Sequence, residues 1–348
     1  MLALKEFEKY VLEYFKNNNW TVCYCSACGR IFLSKNYKCN CGCKNLYELQ
    51  PVKKQKTSIS EFKETSESYF LKKGYIKTCF DNIKNENKDT AFVVAAIQIY
   101  NESLYKGNTP NKSKIFCPQP CIRLKQATPL NDGCLRAFIN IATLKIDADI
   151  NTYLNYVDDW IGFLSKLGIH ASRLSIVISN TEAKINNLYH GWNIDIMYND
   201  LELGHCAYYY DINSTNIHYT GIDCGFCTER ILWVLNGSDF FYSILPKDLI
   251  MNHSKFNREH EDILRSIVLI VMSGILPGAN NEHFQLKKLL ILFVSLNYNW
   301  LLLDYNIEYY YKYWYDFLIT KITLDECKRI IYKSIRNIYL SKGKFIDE

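Results

Sequence analysis

The sequence predicts an α+β protein that begins with a cysteine-rich module and ends with a helical domain. Short apolar runs bounded by turn residues predict buried strands at Thr90–Gln98, Lys114–Leu124 and Cys206–Tyr210. A longer stretch with apolar residues at helical spacing, Leu154–Leu167, predicts a helix that ends at Gly168. Three more helices are expected near the C-terminus, at about 284–304, 307–321 and 323–341.

Length and composition indicate a globular protein. A chain of 348 residues can hold one sizeable catalytic domain and one or two smaller modules. Hydrophobic residues make up 48% of the chain and charged residues 22%, which excludes an intrinsically disordered protein. The formal net charge of +5 is compatible with an RNA or nucleotide partner, although it is too small to demonstrate one.

Neither a secretory signal nor a membrane span is expected. The first 17 residues read as an amphipathic helix with interleaved charges. The apolar runs Ile263–Pro277 and Leu289–Leu303 contain polar residues and are shorter than the roughly 20 apolar residues that a span needs. We therefore expect a soluble, cytoplasmic protein without a membrane partner, whose fourteen cysteines are metal ligands or reduced thiols and not disulfides.

The N-terminal cysteines have the spacing of a structural zinc site. Cys25 and Cys28 are separated by two residues and followed by glycine, so that both thiolates can bind one ion. A second group about ten residues later completes a four-sulfur site. We favour Cys39 and Cys43 from this group because their spacing reaches around an ion more easily, with Cys41 as a competing ligand. A closed site of four ligands gives the Zn²⁺ a structural role.

Two stretches about a hundred residues apart carry the strongest functional signal. One is Gln119-Pro-Cys-Ile-Arg-Leu124, and the other is Ile222-Asp-Cys-Gly-Phe-Cys-Thr-Glu-Arg230, which runs into a predicted helix. In the second, Gly225 supplies backbone freedom where the chain passes close to a ligand. Arg230 is a flat, permanent cation, suited to stacking on a base and offsetting phosphate charge.

Together these stretches resemble motifs 2 and 3 of the class II aminoacyl-tRNA synthetases, in detail those of the archaeal type of alanyl-tRNA synthetase. The resemblance covers nearly the whole chain. It implies a class II synthetase-like antiparallel sheet flanked by helices, an N-terminal zinc module and a C-terminal helical domain. The corresponding domains are 1–50, 58–245 and 246–348, the last being a truncated form of the part that reads the tRNA acceptor stem.

The resemblance also implies roles for three catalytic residues. Arg123 matches the motif 2 arginine that grips the α-phosphate of ATP and the carboxylate of the amino acid. A forked guanidinium suits this role because it can hold two anions and stabilise the charge of the transition state. Asp223 matches the aspartate that holds the ammonium group of the substrate, and Arg230 completes the ATP site.

Further residues are candidates for binding. Arg136 matches the arginine of the family's Gly-Arg-His pattern in the nucleotide site. Gly225 is also expected to contact the nucleotide. Glu229 either holds Mg²⁺ with the phosphates of ATP or orients the neighbouring arginine. Glu202 and His205 lie in a segment similar to the family's Gly-Leu-Glu-Leu-Gly-Asn and are expected to bind substrate.

Two functions remain open at this stage. The leading one is ATP-dependent activation of a small, alanine-like amino acid as its adenylate, followed by transfer to tRNA, a carrier protein, a peptide or a small molecule. The alternative is a non-catalytic synthetase paralogue that binds tRNA or a partner protein. Ala142, which stands where the family has the glutamate that reads adenine, and the altered amino-acid loop at 186–192 favour the alternative, whereas Arg123, Asp223 and Arg230 favour the enzyme. Aromatic and basic residues in the C-terminal helices suit RNA binding, or equally a bundle with its tyrosines packed inward.

Overall fold

A computed structural model describes most of the chain. The described residues are 2–24, 31–34, 57–84, 90–124, 133–179, 182–185, 188–199, 201–214, 217–237, 258–296 and 300–341. The α-helices are α1 (Leu4–Asn17), α2 (Ile59–Lys72), α3 (Asn101–Tyr105), α4 (Ile150–Leu167), α5 (Thr228–Asn236), α6 (Arg258–Met272), α7 (Asn281–Ser295), α8 (Leu303–Tyr315) and α9 (Leu324–Ser341). Short 3₁₀ helices occupy Ala96–Tyr100, Ala171–Arg173 and Trp300–Leu302.

The strands form one large, mostly antiparallel sheet. They are β1 (Thr21–Tyr24), β2 (Ile31–Ser34), β3 (Ile76–Lys77), β4 (Ile115–Ile122), β5 (Ala137–Ile146), β6 (Leu174–Ile178), β7 (Ala183–Ile185), β8 (Tyr189–Tyr198), β9 (Leu201–Ser214) and β10 (Ile217–Cys227). Their order is β1-β2-β6-β8-β9-β10-β5-β4-β3, with β7 paired to β8. Neighbours from β1 to β10 in this order are antiparallel, as are β7 and β8, whereas β3 and β4 are parallel. The fold is therefore mixed α and β, with a large antiparallel sheet flanked by helices.

The described residues divide into two compact units. The first comprises Met1–Thr78, Ile99–Cys117 and Ile141–Asp239, and the second comprises Cys79–Gln98, Pro118–Asn140 and Phe240–Glu348. The domain boundaries predicted from the sequence fall near residues 50 and 245, outside the described residues, so they stay a prediction.

Helix α4 forms the core of the first unit against the sheet. Asp149 caps its first turn by accepting a hydrogen bond from the backbone N–H of Thr152 at 2.7 Å, and Gly168 ends it with a φ of 102°. The ring of Trp160 stacks on Phe226 of β10 with centroids 3.9 Å apart. The indole N–H of Trp160 also donates to the hydroxyl of Thr143, on β5, at 2.8 Å. One face of the central strands is thereby fixed against a helix.

Helix α6 forms the core of the second unit, and its middle is buried on all sides. Because no face of this stretch meets solvent, its polar side chains need hydrogen-bond partners from neighbouring elements. Glu261 accepts hydrogen bonds from the hydroxyl of Tyr310 at 2.5 Å and from the amide of Asn306 at 3.0 Å. Arg265 donates to the carbonyl of Ala137 at 2.7 Å. These contacts fasten α6 to α8 and to the start of β5.

Several expectations about local structure can be compared with these elements. The strand predicted at Thr90–Gln98 is wrong, because this stretch ends in a 3₁₀ helix and only Phe92 forms an isolated bridge. The reason is local: the side-chain carbonyl of Gln98 accepts from the backbone N–H groups of Val94 and Ala95 at 2.8 and 3.2 Å, which closes a turn. In the part of the chain that the structure describes, no helix is long and apolar enough to cross a membrane.

The predicted zinc ligands Cys25, Cys28, Cys39, Cys43 and Cys41 lie outside the described residues, so the zinc module stays a prediction. Among the residues that are described, no three His, Cys, Asp or Glu side chains converge in a way that could hold a metal ion.

Candidate functional site

The central strands of the first unit have a second face, which points away from α4. Because side chains alternate along a strand and Phe226 packs against α4, Asp223 and Gly225 of β10 project to the other side. In β9 their register partners are Ala207 and His205. In β8 the partners of these two are Asn193 and Asp195. We call this surface, made by Asn193, Asp195, His205, Ala207, Asp223 and Gly225, the polar face.

The polar face has small residues at two of its positions. One row across the strands runs Asn193, Ala207, Asp223, and the next runs Asp195, His205, Gly225. Ala207 and Gly225 project little or no side chain between the two aspartates. The amide of Asn193 donates to the Oδ1 of Asp195 at 3.0 Å, which confirms that these two side chains share a face. The polar face therefore has small residues near its middle, with the carboxylate of Asp195 on β8 and that of Asp223 on β10.

The carboxylate of Asp223 lies in a buried environment with a tyrosine. Asp223 is only 2% exposed, and Tyr100, at the residue before α3, is 3% exposed. Burial raises the pKa of Tyr100, and the Cys117 thiol and the Asp223 carboxylate add to this effect. Within the described parts of the chain, the Tyr100 hydroxyl has no hydrogen-bond partner. A buried hydroxyl of this kind near a carboxylate suits a polar ligand group that both can bind.

Arg230 is held at the start of α5 by Glu202. Its Nη1 donates to the backbone carbonyl of Glu202 at 2.9 Å and lies 3.2 Å from the Oε2 of the same residue. The Nδ1 of His205 lies 3.6 Å from the other carboxylate oxygen of Glu202. His205 and Arg230 together lower the pKa of Glu202 to about 2, although burial opposes this shift. Glu202 is therefore an anion that orients the arginine, and it lies next to His205 of the polar face.

Gly204 lets β9 and β10 approach closely. A Cβ atom at Gly204 would lie 2.5 Å from the carbonyl oxygen of Gly225 and 2.5 Å from the Cγ of Phe226. No side chain fits there, because such contacts are well inside the van der Waals limit. Gly204 thus serves strand packing next to the candidate site, and the expected role of Gly225 in binding the nucleotide stays a prediction.

Glu229 is oriented inward. It is fully buried, and its Oε2 lies 3.6 Å from the sulfur of Cys227, which donates to it. Burial and the Glu229 carboxylate raise the pKa of the Cys227 thiol to about 12, so the sulfur stays protonated at neutral pH. The two roles expected for Glu229, holding Mg²⁺ with the phosphates of ATP and orienting the neighbouring Arg230, both stay predictions.

Arg123 and Arg136 lie in the second unit and have different partners there. The Nε of Arg123 donates to the carbonyl of Val94 at 3.0 Å, and its guanidinium carbon lies 5.1 Å from the centre of the Phe138 ring. Arg136 is buried and binds Asp262 through its backbone N–H at 3.1 Å and its Nη1 at 2.6 Å. That these two arginines join Asp223 and Arg230 in one nucleotide site stays a prediction.

Asn193, Asp195, Ala207 and Tyr100 were not singled out from the sequence. A signal for the first two exists, since Asn193-Ile-Asp195-Ile alternates polar and apolar residues and so places both polar groups on one face of a strand. Tyr100 carries no comparable signal, because its place depends on the tertiary fold.

Comparisons with known proteins give limited similarity. No protein-family model matches the sequence, and no curated protein matches it. Among solved structures, a pyrrolysyl tRNA synthetase of Desulfitobacterium hafniense is similar with a TM-score of 0.40 and 15% sequence identity. The alignment covers 56% of this chain and 74% of that one. Similarity at this level does not assign a function.

Proposed function

We propose that this protein is a class II synthetase-like ligase that activates an amino acid on ATP and passes the aminoacyl group to an acceptor. The observation that carries the proposal is the position of Asp223, a buried carboxylate on the polar face, on the strand that leads directly into the helix bearing Arg230. Strand β10 thus carries a carboxylate for the amine of the substrate, and the next element, α5, carries a guanidinium for the nucleotide. Both elements belong to the first unit.

In the proposed reaction, the amino-acid carboxylate attacks the α-phosphorus of ATP, the bond to the bridging oxygen breaks, and pyrophosphate leaves. Asp223 binds the ammonium group by direct charge pairing and positions the carboxylate for attack. Arg230, oriented by Glu202, stacks on the base or offsets phosphate charge. Arg123 is assigned, on its sequence motif, to the α-phosphate. Catalysis is then positioning and charge stabilisation, with no covalent enzyme intermediate.

ATP brings Mg²⁺ to the reaction. Mg²⁺ in nucleotide sites is bound by one or two carboxylates together with the phosphates and waters. Glu202, whose side chain is 40% exposed, is more accessible for such a contact than the buried Glu229.

In the second step, a nucleophile on the acceptor attacks the carbonyl of the adenylate and AMP leaves. The tRNA acceptor stem is the acceptor that the sequence motifs suggest, and a carrier protein or peptide is the other candidate. The alanine-type substrate suggested by the motifs likewise stays a prediction, which a panel of all twenty amino acids tests.

The test is ATP–pyrophosphate exchange measured with each of the twenty amino acids. We expect exchange with one amino acid or a small group of them, and a loss of about 100-fold in Arg230→Ala, the magnitude typical for removal of a charge-stabilising group. Lys112→Ala is the matched control, because Lys112 forms only an exposed ion pair with Asp147 at 2.7 Å. Equal exchange by both variants would contradict the role of Arg230.

Two observations favour the non-catalytic alternative. Arg136, expected in the nucleotide site, has its guanidinium bound to Asp262 at 2.6 Å and to Glu259 at 3.2 Å. Ala142 is fully buried where the family carries its adenine-reading glutamate. If no amino acid supports exchange while the protein binds tRNA tightly, the alternative is the correct function.

A further inference from the structure

The hydroxyl of Tyr100 is a buried polar group of the first unit that the proposed function leaves unused. Tyr100 is 3% exposed, and its hydroxyl makes no hydrogen bond within the part of the chain that the structure describes. Such groups are rare in native proteins, because burial removes the hydroxyl from water without replacing the hydrogen bonds that it loses. A bound ligand can supply the missing bond.

Two tyrosines place the segment that carries Tyr100 on the same side of the sheet as the polar face. Tyr189 lies four residues before Asn193 on β8, and side chains alternate along a strand, so its ring lies on that side. Its hydroxyl donates to the Oδ1 of Asn101 at 2.6 Å. The ring of Tyr209, on β9, lies 5.3 Å from the ring of Tyr189. The residue next to Tyr100 is thereby bound to this end of the sheet.

The carboxylate of Asp223 belongs to the adjacent row of the sheet. Tyr209 pairs with Gly221, and Asp223 is two residues further along β10 on the same side. Burial raises the pKa of Tyr100, and the Cys117 thiol and the Asp223 carboxylate add to this effect, so the hydroxyl stays protonated at neutral pH. Because that hydroxyl has no partner among the described residues, it does not bind the carboxylate directly. The two groups are near one another without being in hydrogen-bond contact.

An ammonium group can join these two groups. One of its protons can go to the carboxylate of Asp223 and another to a lone pair of the Tyr100 oxygen. With hydrogen bonds of about 2.8 Å at the tetrahedral angle, one nitrogen binds two oxygens that are about 4.6 Å apart, too far for a direct bond between them. A cation suits this place better than an anion, which the carboxylate would repel. Tyr100 and Asp223 both belong to the first unit.

We propose that Tyr100 is a second binding residue for the α-ammonium group of the substrate amino acid, accepting a hydrogen bond from the nitrogen that Asp223 binds by charge pairing. This inference rests on the proposed function, because that function assigns Asp223 to the ammonium group. The hydrogen bond between Tyr189 and Asn101 is the positioning contact for the hydroxyl. The site then recognises the amine through two oxygens from different elements.

The test compares Tyr100→Phe with the wild-type protein. Calorimetric titration of the whole 348-residue chain with each of the twenty standard L-amino acids identifies the one that binds most tightly, which is then titrated into the variant. We expect the affinity to fall at least about tenfold, as removal of a hydrogen bond to a charged group predicts. The same acid without its α-amine should bind equally to both proteins, because it has no ammonium group for the hydroxyl to contact.

Thermal unfolding without ligand separates a ligand-binding role from a structural one. Tyr100→Phe should keep or raise the melting temperature, because the hydroxyl that it removes has no partner to lose. Tyr153→Phe is the matched control. Tyr153, on α4, is fully buried, and its hydroxyl donates to the carbonyl of Cys206 at 2.8 Å. The control should lower the melting temperature and leave the affinity for the amino acid unchanged.

Several results would overturn the inference. An unchanged affinity in Tyr100→Phe would show that the hydroxyl does not bind the ligand, and an equal loss for the acid without its α-amine would place it on another ligand atom. A lower melting temperature of ligand-free Tyr100→Phe would assign the hydroxyl a structural role. Failure of all twenty amino acids to bind would remove the ligand itself.

The pyrophosphate exchange panel separates this inference from the proposed function. Exchange with the same KM for the amino acid in Tyr100→Phe and wild type leaves the ligase function standing and overturns the inference. Amino-acid binding that depends on Tyr100, with no exchange for any amino acid, supports the inference and contradicts the adenylate-forming reaction.

Discussion

The buried ion pair between Arg136 and Asp262 gives the sharpest prediction about stability. The side chain of Asp262 is fully buried and that of Arg136 is 11% exposed, with Nη1 and Oδ2 2.6 Å apart. Arg136→Met keeps the aliphatic bulk but leaves the carboxylate buried without its cation. Breaking such a pair typically costs about 3–5 kcal/mol. The second partner of Arg136, Glu259, is 41% exposed and contributes less than about 1 kcal/mol.

The cost of Arg136→Met depends on pH in a defined direction. Burial raises the pKa of Asp262, whereas Arg136 lowers it, so removing the arginine raises the pKa further. When the folded pKa lies above the unfolded value of about 3.9, the folded state binds more protons, and the free energy of unfolding falls as pH rises between the two values. The deficit of Arg136→Met relative to wild type should therefore be largest at pH 7.5 and shrink toward pH 5.

Urea unfolding followed by circular dichroism measures this deficit. Arg329→Met is the matched control, because Arg329 is 67% exposed and lies 3.7 Å from an exposed Glu326, so it should change stability by less than about 1 kcal/mol. The double variant Arg136→Met with Asp262→Leu should recover much of the loss, since two apolar residues can replace a buried pair. A cost below about 1 kcal/mol for Arg136→Met, or a double variant equal to the sum of the singles, would refute the reasoning.

Three further predictions concern the first unit. Gly204→Ala should destabilise the protein by about 1–3 kcal/mol in thermal unfolding, because its Cβ would lie 2.5 Å from the carbonyl oxygen of Gly225; an unchanged melting temperature would contradict the close approach of the strands. Glu202→Gln should make the free energy of unfolding depend less on pH in the acid range. The pKa of Glu202 is lowered to about 2, so the stability that its carboxylate contributes is lost as pH falls from about 4.3 toward that value. The same pH dependence in the variant and the wild type would show that the ion pair of Glu202 adds no stability. Trp160→Ala should cost about 3–5 kcal/mol in urea unfolding, because the ring is fully buried and stacked on Phe226, and a cost under about 1 kcal/mol would contradict this packing.

The helices of the first unit were predictable because their signals are local. The helix predicted at Leu154–Leu167 exists and begins earlier, at Ile150, since Asp149 caps the additional turn. The helix expected after Arg230 also exists and ends before Gly237, whose φ of 60° suits glycine. Of the C-terminal helices, the one expected at about 323–341 is found at Leu324–Ser341.

Other features depend on particular contacts that the pattern of apolar residues and the motifs do not reveal. The apolar run at Thr90–Gln98 has the composition of a strand, but the side chain of Gln98 binds the backbone and turns it. The partner of Arg136 is 126 residues away in the chain, so a motif arginine could not be recognised as part of a buried ion pair. The motif around Asp223 pointed to one strand of the polar face, whereas Asp195 on β8 required knowledge of the strand register.

The central claim is that Asp223 binds the ammonium group of an activated amino acid. The most direct test is calorimetric binding of a non-hydrolysable sulfamoyl analogue of the aminoacyl-adenylate, carrying the amino acid selected in the exchange panel, compared with the same analogue lacking its α-amine. Wild-type protein should bind the complete analogue at least about tenfold more tightly, and Asp223→Asn should lose this difference. Equal affinity of wild-type protein for the two analogues would contradict the account.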